Sequence, residues 1–227
     1  MANFCYKVNK LLEHGKESAS FSKIKSFMKI KDRQEAREDK VERNRQKARR
    51  MMGTAGDLAK AADEILGKDS PSPEELRQAG KYASDAAHYF SKAFATYPEA
   101  EPYYLEGYST AKICEARASI MLGKRTSAHY DLSALIGKLM NTLDSGNLEE
   151  HAIAPIYKAL ACALELRGEV EFNFIMTGGG WFIDGGLAPH LDFGKAEKIY
   201  RDMLGDLENA DRMAERHDEV GQRVFRG

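Results

Sequence analysis

The segment from Ser72 to Pro98 constrains the fold of this 227-residue chain more than any other. Ser72-Pro73-Glu74-Glu75 joins an N-cap serine, a proline at the first helical position and a glutamate three residues after the cap, which together satisfy the free amides of a helix start. From there Leu76, Ala79, Ala83, Ala86, Ala87, Phe90, Ala93, Phe94 and Tyr97 recur at helical spacing on one face. The ladder is mostly small side chains punctuated by rings, so a second helix can approach it closely. The rest of the chain has to supply that helix, and an all-α fold of stacked antiparallel helix pairs is the expected result.

The partner stripes are present. One runs from near Pro102 through Tyr104, Tyr108, Ala111, Cys114, Ala118 and Met121 to Gly123, a C-terminal cap position. Another starts at Thr126 and turns Leu132, Leu135, Ile136, Leu139 and Leu143 inward. Asp144-Ser145-Gly146-Asn147 is a turn, and Asn147 with Glu150 offers a second capping box. An interior proline loses a hydrogen bond and clashes with the preceding turn, so Pro155 predicts a short helix to His151 and a longer one from Pro155 to Arg167, closed by Gly168. A short helical stretch, 169–176, precedes the longest region without periodicity, Thr177 to Leu191, which holds five glycines and the only tryptophan. Asp192 is placed to cap the next helix, with Phe193, Ala196, Ile199, Tyr200 and Met203 on its apolar face, and a polar helix from about Asp206 to Val220 closes the chain. No segment reads as a β-strand.

Two domains are expected: an N-terminal helical arm, 1–67, and a helical body, 72–227, with the Gly-rich insertion at 177–191. In the arm, residues 3–14 and 21–30 are short amphipathic pieces, whereas Lys31 to Arg50 carries Val41 and two alanines as its only aliphatic side chains, so a helix there would be solvated all round. Residues 1–50 hold 15 Lys and Arg against 7 Asp and Glu, a net +8; with the chain as a whole at −1, the remainder carries −9. Such a split suits an acidic partner, nucleic acid or an anionic membrane meeting Arg43, Arg45, Lys47, Arg49 and Arg50, and equally a head that folds back on its own body. The segment lacks an aromatic for base stacking and is interrupted by acids, which weakens the nucleic-acid and membrane readings.

The spacing Ala86, Phe90, Ala93, Pro98 resembles the second helix of a tetratricopeptide repeat. Tyr157, Leu160, Ala161, Ala163, Leu164, Leu166 and Gly168 are similar to a first repeat helix, and Ala196, Tyr200 and Leu204 to a second. Together these cover about half of residues 73–205. The first-helix aromatic and the Leu-Gly pair are missing before Ala79, and the insertion breaks the period. The resemblance implies a superhelix that binds a peptide or partner helix on a concave face; an irregular bundle is the alternative.

Other chemistry is thinly represented. No apolar run approaches the roughly 20 residues that cross a bilayer, and the start, Met-Ala-Asn-Phe-Cys-Tyr-Lys, lacks a secretory signal, so a cytoplasmic location is the default expectation. Cys5, Cys114 and Cys162 are too few and too scattered for a disulfide framework or a paired-ligand zinc site, and Cys114 and Cys162 read as buried thiols. His151, His190 and His217 are isolated; Asp184 with His190 and Asp192 is the best metal candidate and a poor one. The Gly-rich insertion fails as a P-loop, with Pro189 at the first glycine position and Ala196 in place of the hydroxyl. Arg212-Met-Ala-Glu-Arg-His217 fits the loose Arg-x4-His pattern of the small helical ribonuclease domains named for higher eukaryotes and prokaryotes. No catalytic residue, metal or cofactor is assigned.

The reading that results is a non-enzymatic adaptor for another protein or peptide, held in a groove between stacked helices. The expected anchors are exposed tyrosines, Tyr103, Tyr104 and Tyr108, with Trp181 and Phe182. The alternative is a small-ligand binder closed by the Gly178, Gly179, Gly180, Trp181, Asp184 and His190 loop; a ribonuclease using Arg212 and His217 is a distant third.

Overall fold

The computed structural model describes residues 18–98, 101–146, 148, 150–177 and 188–226, and among these are seven α-helices and no β-strand. They are α1 (Ser18–Leu66), α2 (Pro73–Thr96), α3 (Glu101–Met121), α4 (Arg125–Asp144), α5 (Glu150–Met176), α6 (Ala188–Lys198) and α7 (Leu207–Arg226). A single π turn, Ile199–Leu204, closes α6. None of the helices, over the described residues, is long and apolar enough to cross a membrane.

The chain divides into two compact units, Met1–Gln46 and Lys47–Gly227. The border between these units lies inside α1, where burial begins at Ala48 and continues through Ala55, Ala59, Ala62 and Leu66. In the first unit, every described side chain from Met28 to Gln46 is exposed apart from the half-buried Asn44. The helix there rests on local pairs: Lys31 with Glu35 at 3.4 Å, Gln46 donating to Glu42 at 3.2 Å and Arg45 near Glu42 at 3.9 Å. Each such pair contributes about 0.2–0.5 kcal/mol.

The second unit is built from helix pairs whose register can be read from contacts. The α2 start has its full capping box, Glu75 N–H donating to Ser72 Oγ at 3.2 Å and Ser72 N–H to Glu75 Oε2 at 2.8 Å. Along the α2–α3 pair, Gly80 faces Ala118, Phe90 lies on Gly107 and Phe94 stacks on Tyr104 with ring centroids 4.8 Å apart. The paired numbers rise on one helix as they fall on the other, so the two are antiparallel. Gly123, at φ 76°, is the left-handed residue that ends α3. The same reasoning makes α4 and α5 antiparallel, through His129 with Glu171 and Ser133 with Arg167, and α5 antiparallel to α6 and the π turn that closes it, through Gly168 with Phe193 and Cys162 with Tyr200.

Helix α7 runs parallel to α5 at a constant offset. Arg212 pairs with Glu165 at 2.6 Å, Arg216 with Glu169 at 2.5 Å and Arg223 reaches Met176 Sδ at 3.8 Å, each 47 residues apart. Between them α6 and α7 interlock. His217 sits over Gly194 and His190 over Gly221, each glycine being four residues beyond the other's histidine partner, and the two imidazoles stack with centroids 3.7 Å apart.

Three expectations for this region are corrected. Pro155 lies inside a continuous α5: the only bond it removes is to the His151 carbonyl near the helix start, and Ala152 and Ile156, both buried, hold the chain on either side of it. Gly168 is no terminator, since its missing side chain leaves room for the Phe193 ring, 3.0 Å from where a Cβ would stand. Asp192 does not cap α6, which starts at Ala188, so the last residues of the expected 177–191 loop are helical. Asp192 is 2% exposed and takes two hydrogen bonds from the Arg167 guanidinium, at 2.6 and 2.7 Å.

Candidate functional site

A groove of about 620 Å³ opens in the second unit. One wall is the last part of α1, where Gly56 and Ala59 present almost no side chain and Lys60 and Asp63 stand at the edge. The floor is α3, with Gly107, Thr110, Ile113 and Cys114, and beside Gly107 the Phe90 ring of α2 fills the space a Cβ would need. The other wall is the start of α5, from Pro155 through Lys158 and Ala159 to Cys162. Small residues let helices approach closely at the crossing points, and here the same residues leave an open trough with mostly apolar surface.

Its charges are few and mostly cationic. Arg117 donates to Asp63 at 3.1 Å and fixes α3 to α1, which neutralises that acid. Lys60 and Lys158 are exposed on the two walls. Lys60 is 3.9 Å from Glu64, both well solvated, and Lys158 stands near enough to Asp206 to help lower that carboxyl's pKa, after the Asn209 hydrogen bonds. Glu106 is the remaining acid.

Two cysteines, Cys114 and Cys162, line the groove. Burial, reinforced by the Asp63 charge and opposed by Arg117, pushes the Cys114 thiol up to about 11, so it stays protonated at neutral pH. Cys162 is half-buried rather than buried, because it opens onto the groove, and its Sγ lies 3.4 Å from the Tyr200 hydroxyl. The π turn presents Tyr200 to Cys162 and Glu165. Burial and these two neighbours push its phenol strongly upward.

The expected anchors fall elsewhere. Tyr104 is a correction: it is 5% exposed, stacked on Phe94, and its hydroxyl accepts from Lys138 Nζ at 2.9 Å, so it is core. Tyr108 is half-buried beneath the same ammonium, 4.1 Å from its ring centroid. The side chain of Tyr103 lies outside the described residues, as do Gly178, Gly179, Gly180, Trp181, Phe182 and Asp184 of the insertion, along with Cys5, Asn147 and the residue 3–14 piece. Of the basic arm, Arg43, Arg45, Lys47, Arg49 and Arg50 are all exposed.

The Arg-x4-His pair is divided between two neighbours. Arg212 forks onto Glu165, whereas His217 stacks on His190. Asp192 and His190, offered as metal ligands, are engaged by Arg167 and His217. No group of three or more His, Cys, Asp or Glu among the described residues could hold a metal ion.

What the sequence reading missed is the groove itself. It also missed a buried ionic cluster in which Arg167 bridges Asp192, Ser133 and, at 3.8 Å, Glu171, which in turn meets His129 at 2.8 Å. Burial penalises the Arg167 charge, but the Asp192 bonds outweigh it and raise its pKa. Glu171 Oε2 is buried and has no hydrogen-bond partner among the described residues. Buried polar groups of this kind specify one packing of α4, α5 and α6.

Comparison with known proteins returned nothing: no family model matches the chain, no curated protein is similar to it, and no solved structure resembles it.

Proposed function

We propose that the chain is a non-enzymatic adaptor of tetratricopeptide-like design that captures a partner helix or extended peptide in the α1–α3–α5 groove. The observation that carries this reading is the unfilled space over Gly56. A glycine inside a helix is less favourable than alanine by about 1 kcal/mol, and a Cβ built on Gly56 meets no atom within 4 Å. Gly56 is exposed, and its place in the groove lining means that a side chain there would project into the groove rather than into the core. An inserted side chain would use that space, as in helix-in-groove recognition.

The groove is too open to enclose a small molecule on all sides, its thiol is protonated, and its lysines stand at the edges rather than in a converging cluster. These features suit a long occupant better than a reaction centre. The test is native mass spectrometry of the chain purified gently from its host, alongside a Gly56→Trp variant that fills the groove. An added protein mass present with the first and absent with the second supports the adaptor. A protein mass retained by Gly56→Trp, a few-hundred-dalton adduct, or bare chain in both samples counts against it.

A further inference from the structure

We infer that one face of α1 in the first unit, formed by Lys29, Arg33, Arg37, Lys40 and Arg43, is a docking surface for the phosphate backbone of double-stranded DNA. The inference concerns this unit alone and stands whether or not the groove of the second unit holds a peptide. In sequence, residues 28–46 mix seven cations with five acids. The helix sorts them. With about 100° of rotation per residue, the five named cations share an arc of about 120°, and Asp32, Glu35, Glu38, Asp39 and Glu42 share another of about 120° on the far side. Between residues 29 and 43 the cationic face holds no acid and one other side chain, Ala36, and all five cations are exposed.

The pairing pattern separates the two faces. Lys31 and Arg45 lie off the cationic face, and they are the ones that pair with acids, Lys31 with Glu35 at 3.4 Å and Arg45 with Glu42 at 3.9 Å. Arg33, Arg37 and Lys40 have no acid three or four residues away in either direction; those positions hold Lys29, Arg43, one another or uncharged residues. Lys29 and Arg43, at the ends, have Asp32 and Asp39 at that spacing without forming an ion pair with them, and Arg43 Nε donates instead to the Asp39 carbonyl at 3.1 Å. A carboxylate so placed would support the helix by about 0.2–0.5 kcal/mol, and this face forgoes that support at three successive cations.

A polyanion uses such a face better than the carboxylates of a protein do. Exposed ion pairs are each worth about 0–1 kcal/mol, whereas every phosphate neutralised releases condensed counterions, and the gain accumulates along a duplex. Fourteen steps from Lys29 to Arg43, at about 1.5 Å each, make the face about 21 Å long. A helix about 10–12 Å across fits the major groove of B-form DNA, roughly 12 Å wide, and the narrow major groove of A-form RNA does not admit it. The face has no aromatic ring on which single-stranded bases would stack, and no aliphatic side chain beyond Ala36 to enter a bilayer. Residues 51–227 carry a net −9, which repels a polyanion and leaves the basic arm as the part of the chain that attracts it.

Fluorescence anisotropy of the full chain with a DNA duplex of about 24 base pairs and arbitrary sequence tests the assignment. With five phosphate contacts, log K should fall against log salt with a slope of about −4.5, a loss of about 500-fold between 50 and 200 mM KCl. Arg37→Gln with Lys40→Gln removes two contacts, so the slope should become about −2.7 and binding at 50 mM KCl should weaken by about tenfold or more. Lys31→Gln with Arg45→Gln makes the same change in net charge off the face and should stay within about twofold. All four positions are exposed, so neither variant disturbs a core. Equal weakening by the two variants, or no binding at 50 mM KCl, overturns the inference. Tighter binding to a single strand, to an RNA duplex of the same sequence or to phosphatidylserine vesicles than to the DNA duplex overturns it as well.

Discussion

Phe90 and Gly107 form the tightest tertiary contact in the groove floor: the ring occupies the position of the absent Cβ. A Gly107→Ala change has to push a 5%-exposed ring out of its seat, and overpacking of this kind destabilises by about 1–3 kcal/mol. Thermal unfolding should show the loss, and adding Phe90→Leu should restore part of it, because the two changes act on one space. The second residue pair to test is His190 over His217. Burial first, then the neighbouring His190, lower the His217 pKa from its ordinary 6.5, while Glu197 and Asp218 pull the other way. Its folded pKa therefore lies below its unfolded one, so the folded chain binds fewer protons, and the stability contribution is present above pH 6.5 and is lost as pH falls below it. Urea unfolding of the native chain should lose more stability between pH 7.5 and 5.5 than that of a His217→Gln variant. Equal slopes would remove His217 from the account.

At the scale of elements, ionic contacts divide into those that fix a helix and those that decorate it. Arg167 holds Asp192 and approaches Glu171, two carboxylates with side-chain exposures of 3% and 4%, so Arg167→Met leaves buried charge behind and should destabilise by about 3–5 kcal/mol. Arg212 also forks onto a glutamate, but its side chain is 52% exposed and Arg212→Ala should remain within about 1 kcal/mol. Denaturant titration of both variants checks the contrast. The same division explains what the sequence could and could not show. Local chemistry was legible: the Ser72 capping box, the α2 stripe and the Gly123 terminus depend on residues a few positions apart. Pro155, Gly168 and Asp192 carry equally strong local signals, for breaking, ending and capping, and each is overridden by packing in the folded chain. Buried Ala152 and Ile156 secure the first, the Phe193 ring uses the second and Arg167 claims the third. The groove was illegible for the same reason: Gly56, Gly107 and Lys158 acquire a common meaning only when α1, α3 and α5 are packed.

For the molecule as a whole, the two units should differ in what holds them folded. Every buried side chain among the described residues lies at Ala48 or beyond, so cooperative unfolding belongs to the second unit, where apolar burial supplies the driving force. Residues 28–46 have only backbone bonds and exposed pairs such as Lys31–Glu35 to keep them helical, and salt screens such pairs. A chain starting at Lys47 should therefore keep its thermal midpoint within about 2 °C of the full chain, the shift that ~0.5 kcal/mol produces at this size. A peptide spanning 18–46 should be weakly helical and lose helicity as salt rises. Hydrogen exchange on the full chain tests both statements together: amides from 28–46 should exchange rapidly and independently of those in α2 to α7, which open with the global transition. Matching slow exchange in the two sets, or a midpoint more than about 5 °C lower on removing the first 46 residues, would mean that the first unit shares the core, and the division of α1 between a solvated half and a packed half would have to be abandoned.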